Sequence, residues 1–114
     1  VRQPESAARD RIERERDRVV HRIGSMPVGR LDAATRASVR VSAQRIVDLT
    51  PDPDRPPGTQ LPPVGTSASA AQLSLVVQDY LDMRTAASDD AAVAEVAEVA
   101  EVAEVLTQLR RSLP

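Results

Sequence analysis

Residues 92–105 read AVAEVAEVAEVAEV, a three-residue repeat with valine at 93, 96, 99, 102 and 105 and glutamate at 95, 98, 101 and 104. A strand needs a period of two. A 3₁₀ helix would align all the valines, but long 3₁₀ runs are rare. The segment therefore reads as α-helix. Three residues advance an α-helix by about 300°, so the valine row drifts by about 60° per repeat and cannot form one straight apolar stripe. The face that works is Ala92, Val96, Val99, Ala103 and Leu106, with Val102 and Leu109 beside it. Glu98, Glu101 and Glu104 are expected to point away, and Val93 and Val105 to fall off the face. Small residues alternate with valine along this contact, so a neighbouring helix can approach closely. The regularity fits a gene segment enlarged by tandem duplication, and the array holds no nucleophile, histidine, cysteine or aromatic ring.

Working outward, the pattern predicts a helix over 88–112, with Ser88 as its cap. Asp89 and Asp90 complement its positive end, and Arg110 and Arg111 its negative end. A short break at 86–88 separates it from a helix predicted over 69–85. There Ser69 and Gln72 form an S-x-x-Q capping box. Leu73, Val76, Val77, Tyr80 and Leu81 follow the 3.6 period and mark the centre of the core. The short break predicts that these last two helices pack as an antiparallel pair.

Six of the nine prolines lie between residues 51 and 63, so 50–66 reads as a semi-rigid linker that Leu61 and Val64 can pin to the core. Pro53 and Pro56 formally make a PxxP motif, a match that any proline-rich loop readily supplies. A helix is predicted over 32–49, capped by Asp32 and striped by Thr35, Val39, Ala43 and Ile46. Thr50 ends it, because the residue before a proline is pushed out of the α region. A first helix is predicted over 4–24, with Pro4 in its first turn and Gly24 as its stop. Its narrow stripe of Ala8, Ile12, Val19 and Ile23 is interrupted by Arg16, and the rest is dense with charge, including a Glu13–Arg16 pair at i+3.

The fold class expected is therefore all-α: one domain over 1–114, a bundle of about four helices arranged as two helical hairpins joined by the proline-rich loop. A chain of 114 residues suffices for one small domain. Its core is thin, with no Phe or Trp, one Tyr, and 17 alanines. Such a protein gains from sharing apolar surface with a second chain.

Net charge is −2, unevenly placed. Residues 1–30 carry eight Arg against five acids, or +3, and residues 88–114 carry two Arg against six acids, or −4. This asymmetry predicts that the first helix packs near the last. All 15 basic residues are arginine, in line with GC-rich coding DNA, and Val1 fits a GTG start translated literally, so a full-length chain is expected. The absence of cysteine excludes disulfides, thiolate nucleophiles and zinc ribbons. No apolar run reaches membrane-span length and the first residues are charged, so the expectation is a cytoplasmic protein without membrane association.

Site chemistry is sparse. His21, the only histidine, lies opposite the apolar stripe of its helix between Arg18 and Arg22, and reads as a solvated surface residue. Glutamates at i,i+3 spacing suit carboxylate metal sites, but bundle sites of that kind also use inward histidines, so no metal is inferred. No GxGxxG or phosphate-loop motif occurs. The expectation is a protein without enzymatic activity, cofactor or small-molecule substrate. The favoured role is a non-catalytic interaction module, a homo-oligomer or the binder of a protein partner. Its candidate contacts are Val96, Val99, Ala103 and Leu106 on the last helix and Arg11, Arg14 and Arg18 on the first. Two alternatives stand beside it. One is a small regulator that touches nucleic acid through the Arg-rich helix, although interleaved acids break its basic stripe and no aromatic accompanies it. The other is an accessory subunit of an enzyme whose catalytic groups lie on another chain.

Overall fold

The computed structural model describes residues 4–27, 32–50, 54–56, 58–65, 68–85 and 92–113, with side chains described outside 4–6, 84–85 and 92–97. It holds four helices: α1 (Pro4–Ser25), α2 (Ala33–Leu49), α3 (Ser69–Thr85) and α4 (Ala92–Ser112). No strand occurs among the described residues. The chain is an all-helical bundle, as its periodicities require.

The core gathers one stripe from each helix. Ile12, Val19 and Ile23 come from α1, and Val39, Ala43, Ile46 and Val47 from α2. Leu73, Val76, Val77, Tyr80 and Leu81 come from α3, and Val102, Ala103, Leu106 and Leu109 from α4. Tyr80, the sole aromatic, is fully buried in this cluster. It supplies the large apolar area that a Val/Ala core otherwise lacks.

Helix direction follows from the cross-helix contacts. Arg11 meets Glu104 and Thr107 while Glu15 meets Arg110, so α1 and α4 run parallel. Arg9 donates to the Leu81 carbonyl at 3.3 Å and Arg16 to Gln78 at 3.2 Å, so α1 and α3 are antiparallel. Ser69 and Gln72 lie beside Ala33 and Arg36, whereas Asp79 reaches Arg55 at the far end of α2, so α2 and α3 are parallel. It follows that α2 and α4 are antiparallel, with Arg45 against Glu101. The topology is up-down-down-up.

Among the described residues the extensive packing is α1 on α4, α2 on α3, α1 on α3 and α2 on α4. Sequence neighbours α1 and α2, and likewise α3 and α4, therefore face each other across the diagonal. The antiparallel sense expected for α3 and α4 holds, but they are not the packed pair predicted. Periodicity sets which face of a helix is buried; it does not set against what.

The proline-rich segment makes this topology accessible. Parallel neighbours need a long return connection, and the linker runs back along α2. Arg40 donates to the Leu61 carbonyl at 2.7 Å, Gln44 to the Thr59 carbonyl at 2.9 Å, and the Leu61 amide to Gln44 Oε1 at 2.8 Å. Leu61 packs against the core as expected, while Val64 stays exposed. Gly58 adopts a left-handed φ of 77°, which glycine alone takes without strain.

Helix ends show which local signals were obeyed. Asp32 caps α2, its Oδ1 accepting from the Thr35 amide at 2.8 Å. Thr50 is extended and its hydroxyl donates to the Ile46 carbonyl at 2.7 Å, while Arg55 donates to the Val47 and Thr50 carbonyls at 3.0 Å each. Three side-chain bonds thus close the carbonyl end of α2. Three expectations need correction. The Ser69–Gln72 capping box does not form: Ser69 is the first helical residue and donates to the Gly65 carbonyl at 3.4 Å, and Gln72 donates to the Pro62 carbonyl at 3.0 Å. Both side chains are used to hold the linker. Gly24 does not stop α1, which continues through Ser25 without a left-handed residue. Glu13 pairs with Arg9 at 3.6 Å, and Arg16 turns instead to Asp17 at 3.1 Å. The described helix α4 begins at Ala92, and Ser88, Asp89 and Asp90 lie outside the described residues, as does Pro53 of the PxxP match.

Candidate interaction surface

The face expected for contact on α4 is consumed inside the chain. Ala103 is 1% exposed and Leu106 fully buried, and Val99 is half-buried against the same cluster. This described part of the stripe packs against α1 and α2 of the same chain. The side chain of Val96 lies outside the described residues.

On α1, Arg11 is also spoken for: its Nη2 donates to Glu104 Oε2 at 3.2 Å and to Thr107 Oγ1 at 3.0 Å. Arg14 and Arg18 are exposed. They line a shallow depression with Asp10, Glu13, Asp17 and His21, and Arg18 lies 3.7 Å from Glu15. This surface alternates in sign along the helix, so it offers phosphate no continuous positive stripe. Glu101 and Glu104 point outward as expected, but Glu98 is half-buried, and Val105 packs partly on the core.

Sequence reasoning passed over an apolar groove of about 650 Å³ between α2 and α4. Its floor is Ala37, Val41, Val105 and Leu109, and Arg45, Glu101, Glu104 and Gln108 stand on its rim. Val41 is 67% exposed at mid-groove. One signal was available. On α2 the positions outside the core stripe at 33, 34, 37, 38, 41 and 42 are all Ala, Ser or Val, so before Arg45 this side of the helix carries no charge, which solvent alone would not select.

The rim is electrostatically ordered. Arg45 Nη2 donates to Glu101 Oε1 at 2.7 Å across the groove. The Gln108 amide, bonded to Glu104 at 2.7 Å, and then the Arg11 guanidinium hold the Glu104 carboxyl below its ordinary value. The α2 wall therefore presents positive charge and the α4 wall negative charge. Among the described residues no group of three or more His, Cys, Asp or Glu is placed to hold a metal ion, and no helix is long and apolar enough to cross a membrane.

A scan against protein-family models and searches of curated proteins and of solved structures found no match to the chain.

Proposed function

We propose that the chain is a non-catalytic interaction module that self-associates through the groove between α2 and α4. The observation that carries this reading is Val41, a large apolar side chain left 67% exposed in the groove between α2 and α4. Scattered apolar residues need no explanation, but a contiguous apolar surface with a polar rim is the pattern of an interaction site. The thin Val/Ala core supports the same reading, since covering the groove adds apolar burial that the monomer lacks.

The test is sedimentation velocity over about 1 to 500 μM, a range suited to a small, reversible interface. The wild-type chain should sediment faster as concentration rises, and Val41→Glu should remain monomeric while keeping its helical circular dichroism. A wild type that stays monomeric throughout would remove the reading.

A further inference from the structure

Resting on the self-association reading, the geometry points to a second copy of this chain docked about a two-fold axis parallel to the bundle, so that α2 of each copy lies on α4 of the other.

The argument begins with the two walls of the groove. One is basic at Arg45 and the other acidic at Glu101 and Glu104. Because α2 and α4 are antiparallel with Arg45 level with Glu101, the uniform helical rise also sets Val41 level with Val105 and Ala37 level with Leu109. A two-fold axis along the groove exchanges the walls while keeping every level. Arg45 of each copy then stands opposite the other copy's acidic wall, and the exposed Val41 of each meets the other's Val105. Such an isologous contact is self-complementary, since each pair occurs twice.

The competing symmetry, with the axis across the helices, lays α2 on α2 and α4 on α4. It inverts the levels, so Arg45 faces the small residues Ala37 and Ser38 and gains no acid. Like-facing walls offer no electrostatic preference. Charge complementarity thus selects the copy, its orientation and its register together.

The area is consistent with a weak dimer. A face two helices wide, at about 10 Å per helix, and 17 residues long covers roughly 500 Å² per partner. That is about 1,000 Å² in total, at the low end for specific complexes. Arg45 and Glu101 side chains remain 59% and 44% exposed in the single chain, so both are available to re-pair across the axis.

The experiment uses two single charge reversals, Arg45→Glu and Glu101→Arg, alone and mixed. In the exchanged-wall geometry each variant alone sets like charges at positions 45 and 101 across both contacts and should dimerise at least about tenfold more weakly than wild type. An equimolar mixture restores opposite signs at both contacts, so a heterodimer should form with near wild-type affinity, read by sedimentation or by native mass spectrometry. Recovery in the mixture also shows that both variants are folded. If wild type dimerises and Val41→Glu prevents it, yet the mixture gains nothing over the separate variants, the groove is the interface and this symmetry is wrong. If wild type does not dimerise, the self-association reading falls and this geometry with it.

Discussion

Glu15 of α1 and Arg110 of α4 meet at 2.6 Å, with the acid on the Arg-rich helix and the base on the Glu-rich one. The charge asymmetry of the chain ends predicts that these helices pack together, and they do, but the shortest ion pair between them runs against that asymmetry. Glu15 is the more deeply covered partner, its side chain 8% exposed against 34% for Arg110. Charge-assisted bonds are worth most where water is excluded. Glu15→Gln should cost about 1–3 kcal/mol by leaving Arg110 poorly paired. Glu13→Gln, in an exposed i,i+4 pair, should cost at most about 0.5 kcal/mol. Urea denaturation of the two variants tests the contrast, and equal losses would contradict it.

Val77 and Val41 separate core from surface. Val77 is fully buried, and Val77→Ala should destabilise by about 1–3 kcal/mol. Val41 is largely exposed, so Val41→Ala in dilute solution should change stability by no more than about 0.5 kcal/mol. Chemical melts at low protein concentration measure both. A large loss at Val41 would place it in the core.

Acid should loosen the molecule through two carboxyls. The Thr35 backbone amide, bonded to Asp32, is the main cause holding that carboxyl below its ordinary value of 3.8. Glu104, with Gln108 and Arg11 as its partners, lies below 4.5. A folded pKa below the unfolded one contributes stability that is complete above the unfolded value. That contribution is lost as pH falls through the folded value. Stability should therefore drop from about pH 5 downward. Asp32→Asn keeps an N-capping side chain but removes its titration, so its acid limb should be shallower, as should that of Glu104→Gln. Denaturant midpoints across the acid range test this, and limbs parallel to wild type would overturn it.

The repeat should tolerate loss of a whole unit better than gain of a single residue. Removing one V-A-E unit leaves valine, alanine and the downstream leucines at the same distances from the C-terminus. Val102, Ala103, Leu106 and Leu109 are refilled by identical types, and the helix is shortened by about 4.5 Å at its front. Inserting one alanine after Glu104 rotates Leu106, Leu109 and Arg110 by about 100° relative to Val102 and Ala103. Thermal melts should show a modest change for the deletion and a drop of at least 10 °C, or no cooperative transition, for the insertion, as roughly 2 kcal/mol or more is lost. Similar melting temperatures would show that the last turns carry no packing.

The buried stripes were legible because burial on a helix is a local periodic signal. Thr35, Val39, Ala43 and Ile46 are all buried, as are Leu73, Val76, Val77 and Tyr80. Arg16 was legible as a defect in the α1 seam, and the structure resolves it by turning the guanidinium to Asp17 and Gln78. Apart from α1 on α4, which the end charges indicate, helix adjacency was not legible, because Leu106 reads the same whether it meets another helix of its own chain or one of a second chain. The capping box failed for a related reason: Ser69 and Gln72 had better acceptors in Gly65 and Pro62, which only the folded linker brings close. The α2–α4 groove was not legible as a stripe, because Ala37, Ser38 and Val41 flank the buried face of α2 without continuing its period.

The diagonal placement of sequence neighbours bears on how the chain is made. The contacts that seat α1 on α4 join residues 93 to 96 apart, such as Arg11 with Glu104 and Thr107. A nascent chain emerging from the ribosome cannot complete them until α4 itself has been synthesised. Among the described residues α1 does not pack extensively on α2, nor α3 on α4, so no local hairpin shelters the apolar stripes meanwhile, whereas α2 can dock on α3 earlier. The dense charge of α1 then acquires a second meaning. A helix that must wait for its partner stays dispersed in water by its own arginines and acids, and its three buried large apolar residues Ile12, Val19 and Ile23 are few enough to wait with it. For a helical bundle, folding should be slow relative to bundles with adjacent hairpins, because seating α1 on α4 joins residues 93 to 96 apart.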